Sequence, residues 1–236
     1  MDKKLFTSQI CCTYGIACFH IESGIKNLIL IRKRTSYYFC EVVMSRNVLT
    51  RANYRKMTTT EREILKCKNF HVMWIFLFSK IDNLRSYKRY KQKFESCNML
   101  KIDEVSSGIV LNYYVNMYQI PKGHKKNRTE SELICAIREF EEETGLTPDK
   151  YKVHSNFSFT YDLHVNRTIY RMKYYLATLK DDVTNIYVPK SREIEEVREY
   201  NINDVRMLCK TNKIDNEILM VPAYKAFDML KYFKKS

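Results

Sequence analysis

Apolar and polar positions along the chain change period twice. Residues 8 to 18 mix Ile, Cys, Tyr and Ala in a strand-like pattern. Residues 27 to 33, Asn27 to Lys33, do the same after the turn residues Ser23 and Gly24, which predicts an antiparallel hairpin. Residues 37 to 43 are expected to continue the sheet. The period then becomes helical. From Met44 to Lys101 there is no Gly and no Pro. Thr58-Thr59-Thr60-Glu61 ahead of Ile64, Leu65 and Cys67 is a capped helix start. Phe70, Met73, Trp74 and Leu77 recur at helical spacing, and residues 85 to 94 form another helical stretch. Strand character returns over 108 to 120, 151 to 162 and 167 to 178. Residues 121 to 123 are expected as loop. Helices are predicted from about Glu130, over 203 to 209, and over 221 to 233 with Ala223, Phe227, Leu230 and Phe233 on one side.

This order predicts an α/β fold with three segments. Residues 1–43 supply the first strands, residues 44–104 form a helical insertion longer than any ordinary loop, and residues 105–236 complete the fold. A chain of 236 residues is long enough for one domain carrying such an insertion. The apolar run from Val72 to Phe78 is too short to span a bilayer, and Met1 to Phe6 is not followed by the apolar stretch of a signal peptide.

Charge sharpens the picture. The net charge of +14 implies a polyanionic partner: nucleic acid, an anionic membrane surface or a highly phosphorylated metabolite. Most of the excess sits in the insertion: between Met44 and Lys101, 14 Lys and Arg face four acids (Glu61, Glu63, Asp82 and Glu95). Within it Tyr87, Tyr90 and Phe94 interleave with Lys88, Arg89, Lys91 and Lys93, a composition that could bind phosphates and stack bases. A helix with an apolar face and a solvated basic face has the same composition. The eight cysteines lack zinc-ligand spacing and fit free thiols in a reducing compartment.

The chemistry concentrates in Glu130 to Gly145. Thr129 with Glu132 predicts a capping box, Gly145 a C-terminal cap, and Leu133, Ala136, Ile137 and Phe140 an apolar stripe that packs on a sheet. Glu139, Glu142 and Glu143 stand at i, i+3 and i+4 and converge on one helix face. Three such carboxylates repel one another, and a hard divalent cation relieves the repulsion through oxygen ligands. A solvated acidic face is the plainer reading of any acidic run taken alone.

The full pattern resembles the Nudix box. Glu130 is followed by seven residues and then by Arg138-Glu139-Phe140-Glu141-Glu142-Glu143-Thr144-Gly145-Leu146, matching the family at every position from Glu130 onward. The preceding family glycine falls on His124, with the glycine at Gly123, so the loop carries one extra residue. The resemblance implies a Nudix-type α/β/α sandwich with a mixed sheet and a catalytic box over 123–146. It implies Mg2+ or Mn2+ held by Glu139, Glu142 and Glu143, with Glu130 supporting and Arg138 orienting the carboxylates. A later loop glutamate often serves the family as base; Glu193 is the candidate and Glu196 the alternative. Lys122 and Arg34 are candidates for substrate phosphate.

The order of Ile31 to Phe39, the basic insertion, Ile120 to Gly123, the box and Pro222-Ala223 is similar to that of the mRNA-decapping Nudix proteins of large cytoplasmic DNA viruses, the African swine fever virus type in particular. That resemblance implies capped RNA as substrate, with methylated guanosine diphosphate and 5′-monophosphate RNA as products. It implies action in the cytoplasm, the host's for a viral protein, in association with rough endoplasmic reticulum. It also implies activity on diphosphoinositol polyphosphates. Tyr37, Tyr38 and Phe39 are candidates to stack on a methylated guanine, although strand aromatics are more often core. Two alternatives to decapping stay open: a phosphohydrolase of inositol pyrophosphates or nucleotides, and a non-catalytic RNA-binding Nudix fold. The intact Glu139, Glu142 and Glu143 count against the last.

Overall fold

A computed structural model describes residues 9–107, 118–165, 168–180, 187–211 and 216–232. The chain divides into two compact units, Met1–Arg32 with Tyr118–Ser236, and Lys33–Met117.

The first unit is built on a mixed sheet. Strands β1 (Gln9–Glu22) and β2 (Ile25–Lys33) form the expected hairpin, with Glu22 paired to Ile25. Ser23 and Gly24 both take positive φ, 49° and 80°, the twist that a two-residue hairpin needs. Then come β3 (Tyr118–Gln119), β4 (Lys122–Gly123), α7 (Glu132–Thr144), β5 (Tyr151–Val165), β6 (Thr168–Leu179), β7 (Ile194–Tyr200), α8 (Ile202–Thr211) and α9 (Asn216–Tyr232). The strand order is β3-β2-β1-β6-β5, with β4 added to β1 and β7 to β2. β1 runs parallel to β6 and antiparallel to β2 and β4.

Alternation along the strands fills two cores. Ile16, Cys18, Ile29, Tyr175 and Ala177 meet Cys135, Ala136 and Phe140 of α7. Ala17, Phe19, Leu28, Leu30 and Tyr174 meet Val205, Ala223, Ala226 and Phe227 of α8 and α9. Helices on both faces of one mixed sheet are the expected α/β/α sandwich. Two details differ from expectation. Residues 122–123 form a short strand rather than loop, because Gly15 leaves room for Pro121 and Lys122 to lie against β1. Helix α9 begins at Asn216, earlier than the periodicity implied. Most of the strand expected over 108–120, and Phe233, lie outside the described residues.

The second unit is helical: α1 (Tyr37–Val43), α2 (Arg51–Arg55), α3 (Thr59–Lys66), α4 (Phe70–Phe78), α5 (Leu84–Cys97) and α6 (Lys101–Ser106). Residues 37–43, expected as strand, are helix α1. The Ser36 side chain caps it by accepting from the Phe39 amide, and an N-cap outweighs the strand propensity of three adjacent aromatics. The segment breaks into short helices without Gly or Pro because polar caps punctuate it. Thr50, Thr58, Asn69 and Asn83 begin α2 to α5 in the same way.

Two buried polar residues tie these helices together. Glu61, in the capping box with Thr58, also accepts from the Ser36 amide and hydroxyl, so one carboxylate holds the starts of both α1 and α3. Burial holds its carboxyl above the usual range, and the hydrogen bonds from Ser36 and Thr58 counter that only in part. Asn98 accepts from the Leu49 amide at 2.7 Å and donates to the Val42 carbonyl at 3.0 Å. Around them pack Phe39, Met57, Leu65, Phe70, Trp74 and Phe94.

Candidate active site

Helix α7 starts at Ser131, whose side chain accepts from the Ile134 amide at 3.2 Å. The expected box of Thr129 with Glu132 does not form. Thr129 instead bonds Asn127, whose Oδ1 accepts from the Thr129 and Glu130 amides in an Asx turn. Glu132 ion-pairs with Lys173 on β6 at 2.8 Å. Gly145 ends the helix at φ 80°, and a Cβ there would strike the carbonyl of Val188.

Arg138 is the hub of the box, with a side chain only 17% exposed. Its Nε and one terminal nitrogen hold both oxygens of Glu130, at 2.8 and 3.2 Å. Its other terminal nitrogen reaches Glu139 at 2.7 Å and Glu142 at 3.4 Å. The His124 carbonyl accepts a further bond at 2.9 Å, which fixes the loop to the helix. Glu142 also pairs with the Lys126 ammonium at 2.9 Å. Glu143 turns inward and is 5% exposed; its carboxylate accepts from the Lys122 amide at 2.9 Å, locking β4 to α7. Gly123 lies so close to the Glu139 carboxylate that any Cβ there would collide with it. The glycine shifted by one residue therefore still lies against the acidic face.

These contacts qualify the repulsion expected from the sequence. Arg138 and Lys126 already offset the negative charge, so crowding of carboxylates does not by itself demand a metal. Among the described residues, no three His, Cys, Asp or Glu side chains stand gathered as ligands. The donor chemistry nevertheless fits a hard cation. Glu139, Glu142 and Glu143 offer only carboxylate oxygens from adjacent turns of one helix, and Gly123 places no side chain between the loop backbone and Glu139.

Hydrogen bonds from Arg138, then from the Lys126 amide, hold the Glu130 carboxyl down at about 2. A carboxyl with a depressed folded pKa supports the fold fully above its unfolded value, near 4.5, and loses that support as pH falls toward about 2. We expect carbon-detected NMR to find Glu130 still ionised at pH 3. A midpoint near 4.5 would mean that the Arg138 clamp is not formed. Cys135, in the same helix, is pushed up to about 11 by burial and then by Glu130, so it stays a thiol.

Glu193 is exposed in the loop before β7. That loop is tied to the box helix: the Lys190 and Ser191 amides donate to the Glu142 carbonyl at 3.0 and 2.9 Å, and Lys190 pairs with Glu141 at 2.6 Å. Glu196 is committed elsewhere, accepting from the Tyr118 hydroxyl at 2.9 Å and pairing with Arg32 and Arg198. The Lys122 ammonium reaches Gln119 at 3.0 Å, and Arg34 is exposed in the bend after β2. Sequence reasoning missed Lys126 and Lys190, because no periodicity relates a loop lysine to a helix it meets only after folding.

In the helical unit, Lys88, Arg89, Lys91 and Lys93 are exposed on α5, while Tyr87 and Tyr90 are half-buried. Phe39 is fully buried, so it offers no face to a base. Tyr38 is engaged by Lys56, which donates to its hydroxyl at 2.9 Å, and Tyr37 is exposed.

Residues 109–220 match the family model of the NUDIX domain, a span that contains the whole of α7 and its loop. The chain carries a NUDIX domain, that of a Nudix hydrolase, over those residues. Members of this family generally use divalent metal ions, in keeping with the all-carboxylate donor set. This Nudix chain is 29% identical over 243 residues to the mRNA-decapping protein g5R of African swine fever virus, Warthog/Namibia isolate, covering 95% of this chain and 96% of that one. Its likeness to g5R of the Pig/Kenya isolate is also 29%, over 242 residues, 95% of this chain and 96% of the other. A protein of Acanthamoeba polyphaga mimivirus is 27% identical over 107 residues, 44% of this chain and 30% of its own length. All eight cysteines are free, and no helix among the described residues is long and apolar enough to cross a membrane.

Proposed function

We propose that this Nudix hydrolase removes the 5′ cap of mRNA, releasing methylated guanosine diphosphate and leaving 5′-monophosphate RNA. The observation that carries the reading is the likeness to mRNA-decapping proteins along nearly the whole chain, helical unit included. A shared Nudix box alone would name only the chemistry.

Glu139, Glu142 and Glu143 would hold Mg2+ or Mn2+. When bound, such a cation polarises a phosphoryl oxygen and makes water a better nucleophile. Arg138 orients Glu139 through the 2.7 Å bond and keeps Glu130 ionised beside it. Lys122 stands next to Gly123, where its ammonium would exchange Gln119 for a substrate phosphate. Glu193 would take the proton from water, since its loop is anchored to the carbonyl of Glu142. The insertion read as 44–104 would favour long RNA over free nucleotides, and the site of action would be the cytoplasm.

The test uses the full chain with cap-labelled RNA and varied metal. Labelled methylated guanosine diphosphate is expected with Mg2+ or Mn2+, and none after chelation. If free cap analogue is turned over as fast as long capped RNA, selection by the insertion is wrong. If capped RNA is not cleaved under any metal while a small pyrophosphate substrate is, the decapping reading is wrong.

A further inference from the structure

The composition of α5 allows two ways to hold RNA, cations on phosphates or rings on bases. The fold separates them. Arg85, Lys88, Arg89 and Lys93 fall at i, i+3, i+4 and i+8, all exposed on one face over about 12 Å of helix. Gln92 and Ser96 lie among them; the acid of α5, Glu95, is at the margin, 3.8 Å from Lys91. Tyr87, Tyr90 and Phe94 fall on the opposite face.

Those rings are structural. Phe94 is fully buried and stands 5.5 Å from Phe70. Tyr87 sits 5.5 Å from Phe70 and 5.4 Å, edge-on, from Trp74, with its hydroxyl 3.4 Å from His71. Tyr90 lies 5.9 Å from Trp74 at an interplanar angle of 30°. A strand laid along the cations would have the thickness of the helix, about 10 Å, between its bases and these rings.

We propose that α5 binds RNA through phosphates alone, with no base stacked on Tyr87 or Tyr90. The inference rests on the RNA-binding role given to this unit above. It makes α5 a sequence-independent grip for any RNA body, and leaves base recognition to the cap.

The experiment measures binding of the full chain to a capped oligonucleotide and to one of equal length whose body is abasic, over a range of salt. Four phosphate contacts on a single strand give a slope of log K against log salt of about −3, and each Lys→Ala or Arg→Ala change on this face reduces it by about 0.7. The two ligands are expected to bind within about twofold of each other, since each stacked base would otherwise be worth about fivefold or more. An abasic body that binds more than about tenfold more weakly would overturn phosphate-only binding while leaving the RNA-binding role standing. If the variant R85A/K88A/R89A/K93A binds both ligands as tightly as the parent, the role of α5 itself fails, and the inference with it.

Discussion

Changing Glu142→Gln together with Glu143→Gln lowers kcat/KM on capped RNA by ~10³-fold or more and leaves RNA affinity unchanged. The direction follows from charge. The change keeps the volume and one acceptor oxygen of each side chain but removes two of the three anionic donors that a hard cation needs. The fold should tolerate it. After Glu143→Gln, the side-chain amide oxygen can still accept from the Lys122 amide, so β4 stays docked on α7. Glu142 is 40% exposed, and its pairs with Lys126 and Arg138 are of the surface kind that contributes about 1 kcal/mol or less. Melting should therefore shift by a few degrees at most, while turnover disappears. RNA binding should persist because the proposed grip is on α5. A double variant that still cleaves at the parent rate would remove α7 from the chemistry altogether.

Arg138→Met has the second-largest expected effect, and it acts on stability and activity together. Arg138 satisfies Glu130 with two bonds and neutralises Glu139 and Glu142 from one nitrogen. The side chains of Glu130 and Glu139 are 8% and 16% exposed, so removing their cation leaves two partly shielded anions without it. The melting temperature should therefore fall, because removing one partner of a clamped ion pair leaves the other charge without its hydrogen bonds. With Glu139 no longer oriented, metal affinity and kcat/KM should each fall about 10- to 100-fold. Denaturation in chelator and in Mn2+ separates the two roles. Added metal should restore part of the lost stability, because the cation takes over from Arg138 in offsetting the carboxylates. If stability and activity both stay at the parent level, Arg138 is neither clamp nor orienting group.

Much of this was present in the linear order of residues, for identifiable reasons. The β1–β2 hairpin, the amphipathic α7 and its glycine cap depend on contacts within a few residues, so period and turn chemistry are enough to place them. The three glutamates share a helix face because their spacing is that of a helix, whatever surrounds it. The insertion was legible as helical through period and composition, and its basic charge is a count of side chains.

Other features depend on residues distant in sequence. Residues 37–43 carry the aromatics of a strand, yet Ser36 caps them into α1, and Glu61, 25 positions away, holds Ser36 in place. The loop before the box is held by the Asx turn at Asn127 and by the Arg138 bond to the His124 carbonyl, a partner 14 positions away. Residue order and spacing settle which charges and rings the molecule carries and which of them share a helix face. Folding in three dimensions was needed to pair Arg138 and Lys126 with the carboxylates, and to spend the faces of Tyr87 and Tyr90 on Phe70 and Trp74 while the cations of α5 face solvent. The physical reason is that local spacing sets direction along one element, whereas partners are set by packing between elements.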